Sequence, residues 1–293
     1  GTWGVARVQD CDVDGPQHYG IRLGQDLSAS DWYRQGHVVY RGNSVRNMRN
    51  PITGSGSNEC NGLAMFSQSG LYSGNFIDNI DAAGDDDCEG IYTKVRLLLV
   101  EGNILRDCGR REGAITLKNA PPQPGTAYVQ RSQILCVDNE FTFTDPRLHE
   151  CSISVQTNNT ICARNRCMVG AGVPSESAAI VVKYREPHSN IVIEDNDCYA
   201  PAGGGYGVLV WAYGENVTVR NNRVSGAAGA CVRIETQAPG AVRYPTGGLP
   251  VLARNLVIAG NELVSQAVIN SEGVTVAAGS ARGLDFAIRD RKS

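Results

Sequence analysis

Several features are scarce in this chain of 293 residues, and each scarcity argues against a class of protein. Charged residues make up only 19% of the chain and the formal net charge is −3, so we expect no basic surface for nucleic acid. Prolines number 12 against 34 glycines, which argues for many turns and against a Pro-rich disordered chain. No apolar run is long enough to cross a bilayer, so we expect no membrane span.

What the sequence does contain is an internal repeat, and a repeat decides the fold class first. A short run of alternating apolar residues, usually followed by asparagine, recurs at residues 6–15, 98–107, 191–200, 217–226 and 256–265. Separations of 26 to 39 residues place eight asparagines in one column: Asn43, Asn75, Asn103, Asn139, Asn165, Asn196, Asn222 and Asn261. An irregular period of this kind is typical of a solenoid whose loops vary in length.

A second short strand lies between successive positions of the asparagine column. It alternates with a period of two and recurs at residues 63–66, 91–94, 115–118, 153–156, 180–183, 208–211 and 232–235. Strands this short, joined by bends rich in glycine and asparagine, cannot form helices of useful length. Stacking the coils about 4.8 Å apart pairs each backbone group with the next coil and creates one continuous core.

The sequence therefore predicts an all-β chain that forms one right-handed parallel β-helix of roughly eight to ten coils, with residues 1–293 as a single domain. Asparagine suits the column because it tolerates a left-handed backbone and its amide can bond to the asparagine of the next coil. Residues 1–4 lack the basic stretch and apolar core of a signal peptide. Because the chain starts inside a repeat, we expect a removed leader or a fragment of a longer chain.

The ten cysteines are not spaced like metal ligands, apart from the loose pair Cys162 and Cys167. Cys167 and Cys198 occur two residues after the column asparagine, where other coils carry apolar residues, so we expect them in the core. Cys60 and Cys88 share a column at a bend, where a disulfide and a pair of free thiols both fit.

Alternation in the second strand assigns one set of side chains to the outer surface. One outward column reads Phe66, Lys94, Lys118, Gln156, Lys183, Trp211 and Glu235, and its companion reads Ala64, Tyr92, Thr116, Ser154, Val181, Leu209 and Arg233. Lysines, aromatic rings and hydroxyls along one axis predict a groove for an extended, negatively charged polymer. The alternative is that the lysines fill exposed strand positions for solubility, which fits Lys183 best.

The bend at residues 85–89 is acidic, and Asn61 aligns with Glu89 in the preceding coil. Carboxylates and an asparagine oxygen on adjacent coils form a suitable set for Ca²⁺, which takes oxygen ligands. A solvated acidic turn fits the same residues equally well. Four residues of the next two coils align with this bend: Arg111, Glu112, His149 and Glu150.

The repeat resembles the pectate-lyase-type β-helix superfamily, which includes polysaccharide lyases, glycoside hydrolases, uronate epimerases and phage tailspikes. Within it, residues 87–94 (Asp-Cys-Glu-Gly-Ile-Tyr-Thr-Lys) resemble the strand of alginate lyases and chondroitinase B that carries two calcium-binding acids and the catalytic lysine. The resemblance implies Asp87 and Glu89 as calcium ligands, with Asn61, and Lys94 as the base that takes the C5 proton. The family's next coil carries an arginine in an Arg-His-Gly context, whereas this chain has Lys118.

The implied activity is β-elimination on an acidic, uronate-containing polysaccharide. This reaction requires a neutralised carboxylate, a base and a proton donor. Calcium and Lys118 suit the neutralisation of the carboxylate, Lys94 suits the base and Tyr92 suits the proton donor. Two lysines side by side are less easily protonated together, which prepares one of them to act as a base. The side chains expected to bind the substrate are Phe66, Gln156, Lys183, Trp211, Arg233 and His149.

Two rival interpretations remain open. Residues 84–88 are similar to the Gly-Asp-Asp-Cys segment of polygalacturonases, and a hydrolase built on Asp87, Glu89 or Glu112 fits the sequence even though the other motifs of that family are absent. A non-catalytic binding or structural β-helix, such as a phage tailspike or adhesin segment, would show the same repeat. For all three interpretations we expect a secreted, periplasmic or cell-surface protein that is monomeric or trimeric.

Overall fold

The protein is described by a computed structural model that covers most of the repeat. The described residues are 4–24, 36–50, 60–82, 87–110, 112–119, 132–172, 177–183, 188–200, 205–210, 214–226, 230–234, 255–263, 268–271, 274–277 and 282–288.

Short β-strands make up almost all of the regular structure in these residues, because alternating apolar side chains and frequent bends favour strands over helices. Their bounds are β1 (Val5–Gln9), β2 (Asp12–Asp14), β3 (Tyr19–Leu23), β4 (His37–Arg41), β5 (Ser44–Asn50), β6 (Cys60–Ser73), β7 (Phe76–Ala82), β8 (Cys88–Glu101), β9 (Ile104–Arg106), β10 (Gly113–Lys118), β11 (Gln133–Val137), β12 (Glu140–Thr142), β13 (Cys151–Gln156), β14 (Thr160–Ala163), β15 (Arg166–Met168), β16 (Ala178–Val182), β17 (His188–Glu194), β18 (Asp197–Ala200), β19 (Tyr206–Val210), β20 (Gly214–Arg220), β21 (Arg223–Gly226), β22 (Ala230–Ile234), β23 (Leu256–Leu263), β24 (Val268–Ser271), β25 (Val274–Ala277) and β26 (Arg282–Ile288). A 3₁₀ helix spans Pro146–Leu148. In the part of the chain that the structure describes, no helix is long and apolar enough to cross a membrane.

The strands stack in three parallel columns, which we call faces A, B and C. Face A contains β3, the first halves of β6 and β8, then β10, β13, β16, β19 and β22. Face B contains β1, β4, the second halves of β6 and β8, then β11, β14, β17, β20 and the start of β23. Face C contains β2, β5, β7, β9, β12, β15, β18, β21 and the end of β23.

This arrangement is a right-handed parallel β-helix and confirms the predicted fold class. Beyond β23 the pairing changes, because β26 pairs with β23 and β25 pairs with β24 in antiparallel orientation. That residues 1–293 form a single domain stays a prediction.

Inward side chains of the three faces form one continuous apolar core. In face A, fully buried side chains of similar shape stack from coil to coil: Leu63, Ile91, Ile115, Ile153, Ile180 and Val208. Branched side chains fit a pleated, buried surface, and each fully buried one contributes about 1.5–3 kcal/mol to stability.

The eight column asparagines form a buried ladder between faces B and C, which we call the asparagine ladder. In each step, the Oδ1 atom of one asparagine accepts hydrogen bonds from the backbone N–H and the Nδ2 group of its counterpart in the preceding coil. The side-chain bonds measure 2.8 to 3.0 Å. Cys11 donates its backbone N–H to Asn43 and starts the column, so nine coil positions are occupied within the described residues, in agreement with the predicted number.

The backbone bend lies one residue before each ladder position, not on the asparagine itself as the sequence had suggested. Nine residues there adopt left-handed φ values of 53° to 62°: Asp10, Gly42, Gly74, Gly102, Asp138, Arg164, Asp195, Asn221 and Gly260. Glycine, asparagine and aspartate tolerate this region, which explains their frequency at the bend. The side-chain amide of the following asparagine can then point into the protein and form hydrogen bonds with the asparagines of adjacent coils along the axis.

The cysteines are free thiols, and all but Cys11 are buried. Cys167 and Cys198 are register neighbours in the core, as predicted. Cys60 and Cys88 are also register neighbours. They remain unbridged, so the disulfide alternative is wrong for this structure. Contact with Cys60 and burial raise the pKa of the Cys88 thiol.

Candidate functional site

The outward side of face A carries the predicted site residues in the predicted register. Tyr92 lies beside Thr116, which lies beside Ser154, while Lys94 lies beside Lys118. The prediction that Lys94 and Lys118 lie side by side on adjacent coils is therefore confirmed.

Much of this outward side is buried, which corrects the prediction of an open groove. Phe66 is 3% exposed, Tyr92 7%, Gln156 7% and Lys183 7%. Lys183 is consequently not a solubilising surface residue. Alternation in a strand reports which way a side chain points, but it does not report what other chain segments cover that side.

Two glutamates and two lysines meet on the outward side of face A, and we call this group the charged cluster: Glu112, Glu150, Lys183 and Lys118. The Lys183 ammonium contacts Glu150 Oε1 directly and lies 3.5 Å from Glu112 Oε2. The Lys118 ammonium lies 3.9 Å from Glu112 Oε1. Glu112 immediately precedes β10 and Glu150 immediately precedes β13, so the parallel pairing of these strands brings the two carboxylates to adjacent coils.

Face A also supplies neutral donors to Glu112. Gln156 Nε2 donates to Glu112 Oε2 at 2.9 Å, and the Ser154 hydroxyl lies 3.4 Å from the same oxygen. Because one ammonium contacts both glutamates, their nearest oxygens are no more than about 6 Å apart, which is compatible with the spacing at which two carboxylates act together on a glycosidic bond.

The charged cluster is costly to bury. Glu112 is 5% exposed and Glu150 is 1% exposed, and removing each ion from water costs several kcal/mol that a salt bridge only partly recovers. Further along the same outward side, Val181 and Leu209, which are in register with Ser154, are fully buried apolar side chains. The fold can therefore cover this side without ions, so stability alone does not explain the cluster.

Aromatic rings continue the outward side toward the N-terminus. The ring centroids of Phe66 and Tyr92 are 5.7 Å apart. The ammonium of Lys118 lies 4.9 Å from the Tyr92 centroid and that of Lys94 lies 5.9 Å from it. Lys94 and Lys118 are only partly buried, and the rings favour cations above their faces.

Asn61 and Glu89, two of the expected calcium ligands, are register neighbours on this outward side and are 1% exposed. Asp87 precedes β8 and is partly buried. Both amide atoms of Asn61 are buried without a hydrogen-bond partner, which is unusual in a native interior and fits a water or ion at this point. Within the described ranges, however, no group of three or more His, Cys, Asp or Glu side chains is placed to hold a metal ion.

Of the remaining predicted site residues, His149 lies away from face A, whereas Arg233 continues the outward side of face A in register with Leu209. His149 stacks on Phe143 with centroids 4.4 Å apart, and its Nε2 atom lies 3.6 Å from Asp107 Oδ1 at the end of face C. Arg233 contacts Tyr206 on a later coil, with its Cζ atom 4.8 Å from the ring centroid. Trp211 lies outside the described residues.

Sequence reasoning aligned Glu112 and Glu150 with the acidic bend but did not place them together or join them to Lys183. The available signal was that each glutamate immediately precedes a face A strand. Arg22 lies on the same outward side, but the sequence pattern of the second strand was followed only from residue 63 onward and therefore did not include it.

Comparisons with known proteins give a distant likeness to solved structures. No family model and no curated protein matches the chain. Among solved structures, it is similar to the crystal structure of PfbA, a surface adhesin of Streptococcus pneumoniae, with 12% identity, a TM-score of 0.48 and coverage of 94% of this chain and 68% of that chain. A likeness this distant assigns neither an activity nor a ligand to the present chain.

Proposed function

We propose that this β-helix is a carbohydrate-active enzyme that hydrolyses glycosidic bonds in an acidic polysaccharide at the charged cluster. The observation that carries the proposal is the pair of buried carboxylates, Glu112 and Glu150, which contact one ammonium group on the outward side of face A. Buried ionisable groups with specific charge partners are frequent at catalytic sites.

The two glutamates differ in their surroundings, which suggests their roles. Glu112 accepts a hydrogen bond from Gln156 and faces two lysines, so it is the candidate nucleophile. Glu150 is then the second carboxylate of the pair, the position that transfers the proton in a retaining glycosidase. A separation of about 5–5.5 Å between carboxyl groups is the spacing of retaining glycosidases, in which one group attacks the sugar and the other transfers the proton.

The lysines determine the substrate class. Lys94 and Lys118 form the partly exposed approach to the cluster, and they are register neighbours in adjacent coils with both ammonium groups near the Tyr92 ring. Positive charges spaced about one coil apart suit a polymer with a carboxylate on successive sugars, as in a polyuronate.

A panel of polygalacturonate, alginate and chondroitin tests this function with two readouts. Hydrolysis releases reducing ends without the ultraviolet absorbance of an unsaturated uronate. Glu112→Gln and Glu150→Gln should each lower the rate by about 10²–10⁴-fold, since each removes an acid–base or nucleophilic group. Glu140→Gln, which changes a carboxylate of face C that faces Arg166, is the matched control and should leave the rate unchanged. Release of reducing ends that survives both active-site substitutions would contradict the proposal.

A second candidate function is β-elimination, and the arrangement of Tyr92 between two lysines favours it. Lys94 and Lys118 both place an ammonium near the Tyr92 ring, so a base, a proton donor and a carboxylate-binding cation occupy adjacent coils. In the same assay, elimination would produce the ultraviolet absorbance, and Lys94→Ala would abolish it while the unfolding midpoint stayed nearly constant. If neither reducing ends nor ultraviolet absorbance appears but the polymer binds measurably, the non-catalytic binding function is the one supported.

Calcium binding remains a separate proposal for Asn61, Asp87 and Glu89. The unpartnered Oδ1 atom of Asn61 beside Glu89 supports it. A bound calcium ion would supply positive charge to neutralise these carboxylates and a substrate carboxylate. Titration with Ca²⁺, followed by calorimetry and by the unfolding midpoint, tests the site. Binding heat and a raised midpoint are expected in the parent protein and not in Asn61→Ala. If Ca²⁺ produces neither effect in the parent protein, or the same effects in both proteins, the site is ruled out.

A further inference from the structure

Arg22 lies on the outward side of face A, toward the N-terminal end from the charged cluster. Its residue position is in register with Ala64 and, one coil further on, with Tyr92. Unlike the cluster residues, Arg22 is exposed. Its guanidinium carbon lies 4.5 Å from the ring centroid of Tyr19 and 5.0 Å from that of Phe66.

Two aromatic rings therefore hold this guanidinium in place. Rings restrict its motion and shield one side from water, which lowers the entropy lost when it binds a ligand and strengthens its hydrogen bonds. Across the residues that the structure describes, no carboxylate is placed against Arg22. A guanidinium carries five N–H donors in a planar fork that fits a carboxylate, so this group is prepared for an external anion.

The distance between Arg22 and the cluster suits an extended polymer. Arg22 stands three coils before Thr116, which belongs to the same strand as Lys118. Three coil spacings correspond to about 14 Å along the axis. A polysaccharide lying parallel to the axis would reach Arg22 a few sugar residues away from the bond at Glu112.

We propose that Arg22, held by Tyr19 and Phe66, forms a distal subsite that binds the carboxylate of a uronate residue in the polysaccharide chain. This inference rests on the proposed function in one respect, namely that the polymer lies along face A. It assigns a binding role to Arg22 and no part in bond cleavage.

Binding of short and long oligogalacturonates, measured by calorimetry, tests the subsite. The probes are a dimer and a hexamer of galacturonate, together with the hexamer as its neutral methyl ester. Measurements use the Glu112→Gln protein, so that no probe is cleaved, with and without Arg22→Met. Arg41→Met removes an exposed guanidinium from face B and is the matched control.

The subsite predicts that Arg22→Met weakens hexamer binding about tenfold and leaves dimer binding unchanged, since a charged hydrogen bond is lost only by a ligand long enough to reach it. Arg22→Lys should recover part of the affinity, and the methyl ester should bind equally to both proteins. Equal hexamer affinity with and without Arg22 would overturn the inference, as would equal weakening of the ester.

The outcomes separate this inference from the proposed function. If Arg22→Met weakens hexamer binding but Glu112→Gln and Glu150→Gln retain cleavage, the subsite stands and the catalytic assignment fails. If the glutamate variants lose cleavage but Arg22→Met binds normally, the catalytic assignment stands and the subsite fails.

Discussion

Two of the regions in which the described residues bury polar groups, the asparagine ladder and the charged cluster, differ in charge and in regularity. The asparagine ladder repeats one neutral amide through eight coils, and each internal amide finds its partners in the neighbouring asparagines and a backbone carbonyl. The charged cluster occurs once and combines ions whose desolvation is only partly offset. Burial of polar groups is stabilising where every donor is matched by neutral neighbours, whereas the buried ions of the cluster contribute less to stability than they cost in desolvation unless their pairing is close to ideal.

The largest expected effect is on the ladder. Asn103→Ala removes the Oδ1 atom that accepts two hydrogen bonds from Asn75, which leaves two buried donors unpaired. Each unpaired buried donor costs about 1–3 kcal/mol, so we expect the free energy of unfolding to fall by about 4 kcal/mol in urea titration. Asn79→Gly is the control, because glycine tolerates the left-handed backbone of this residue and the single bond to Asn47 that is lost is exposed and should be worth less than about 1 kcal/mol. Equal losses in the two proteins would remove the stabilising role assigned to the ladder.

The second prediction concerns the charge balance of the charged cluster. Lys183→Met leaves Glu112 and Glu150 buried without the ammonium that both contact, and we expect a loss of about 3 kcal/mol at neutral pH. Adding Glu112→Gln and Glu150→Gln to this variant should restore the stability, because the unpaired charges are then absent. A loss that persists in the triple variant would show that Lys183 stabilises by packing and not by charge balance.

The register of the β-helix and the neighbourhood of Lys94 and Lys118 could be predicted from the sequence, because the asparagine column and the period of two fix both. The burial of Lys183 could not be predicted, since alternation does not reveal what covers a face. The sequence aligned Glu112 and Glu150 with the same bend in successive coils, but it did not predict that one lysine, Lys183, contacts both, since alignment gives the coil position and not the direction of a long side chain. The sequence placed the left-handed bend on the column asparagine, one position later than the structure does. Asparagine tolerates that conformation, as do the glycine and aspartate residues that precede it, so the pattern did not distinguish the two positions.

A smaller effect is expected at Asp107, which lies outside both regions. Burial alone would raise its pKa, but contacts with His149 and Thr144 outweigh burial and lower the pKa of this carboxyl. A carboxyl with a lowered folded-state pKa stabilises the protein above its ordinary pKa of about 3.9, and that stability is lost as the pH falls through the folded value. Asp107→Asn should therefore cost about 1 kcal/mol at pH 7 and progressively less in strong acid. Urea titrations at several pH values check this, and a cost that is independent of pH would contradict it.

The central claim is that the charged cluster is retained for chemistry and not for stability. The most direct measurement compares the parent protein with the triple variant Glu112→Gln/Glu150→Gln/Lys183→Met, recording the free energy of unfolding and the release of reducing ends from an acidic polysaccharide on the same samples. We predict unchanged or higher stability together with loss of cleavage. A triple variant that is several kcal/mol less stable yet cleaves as fast as the parent would contradict the claim.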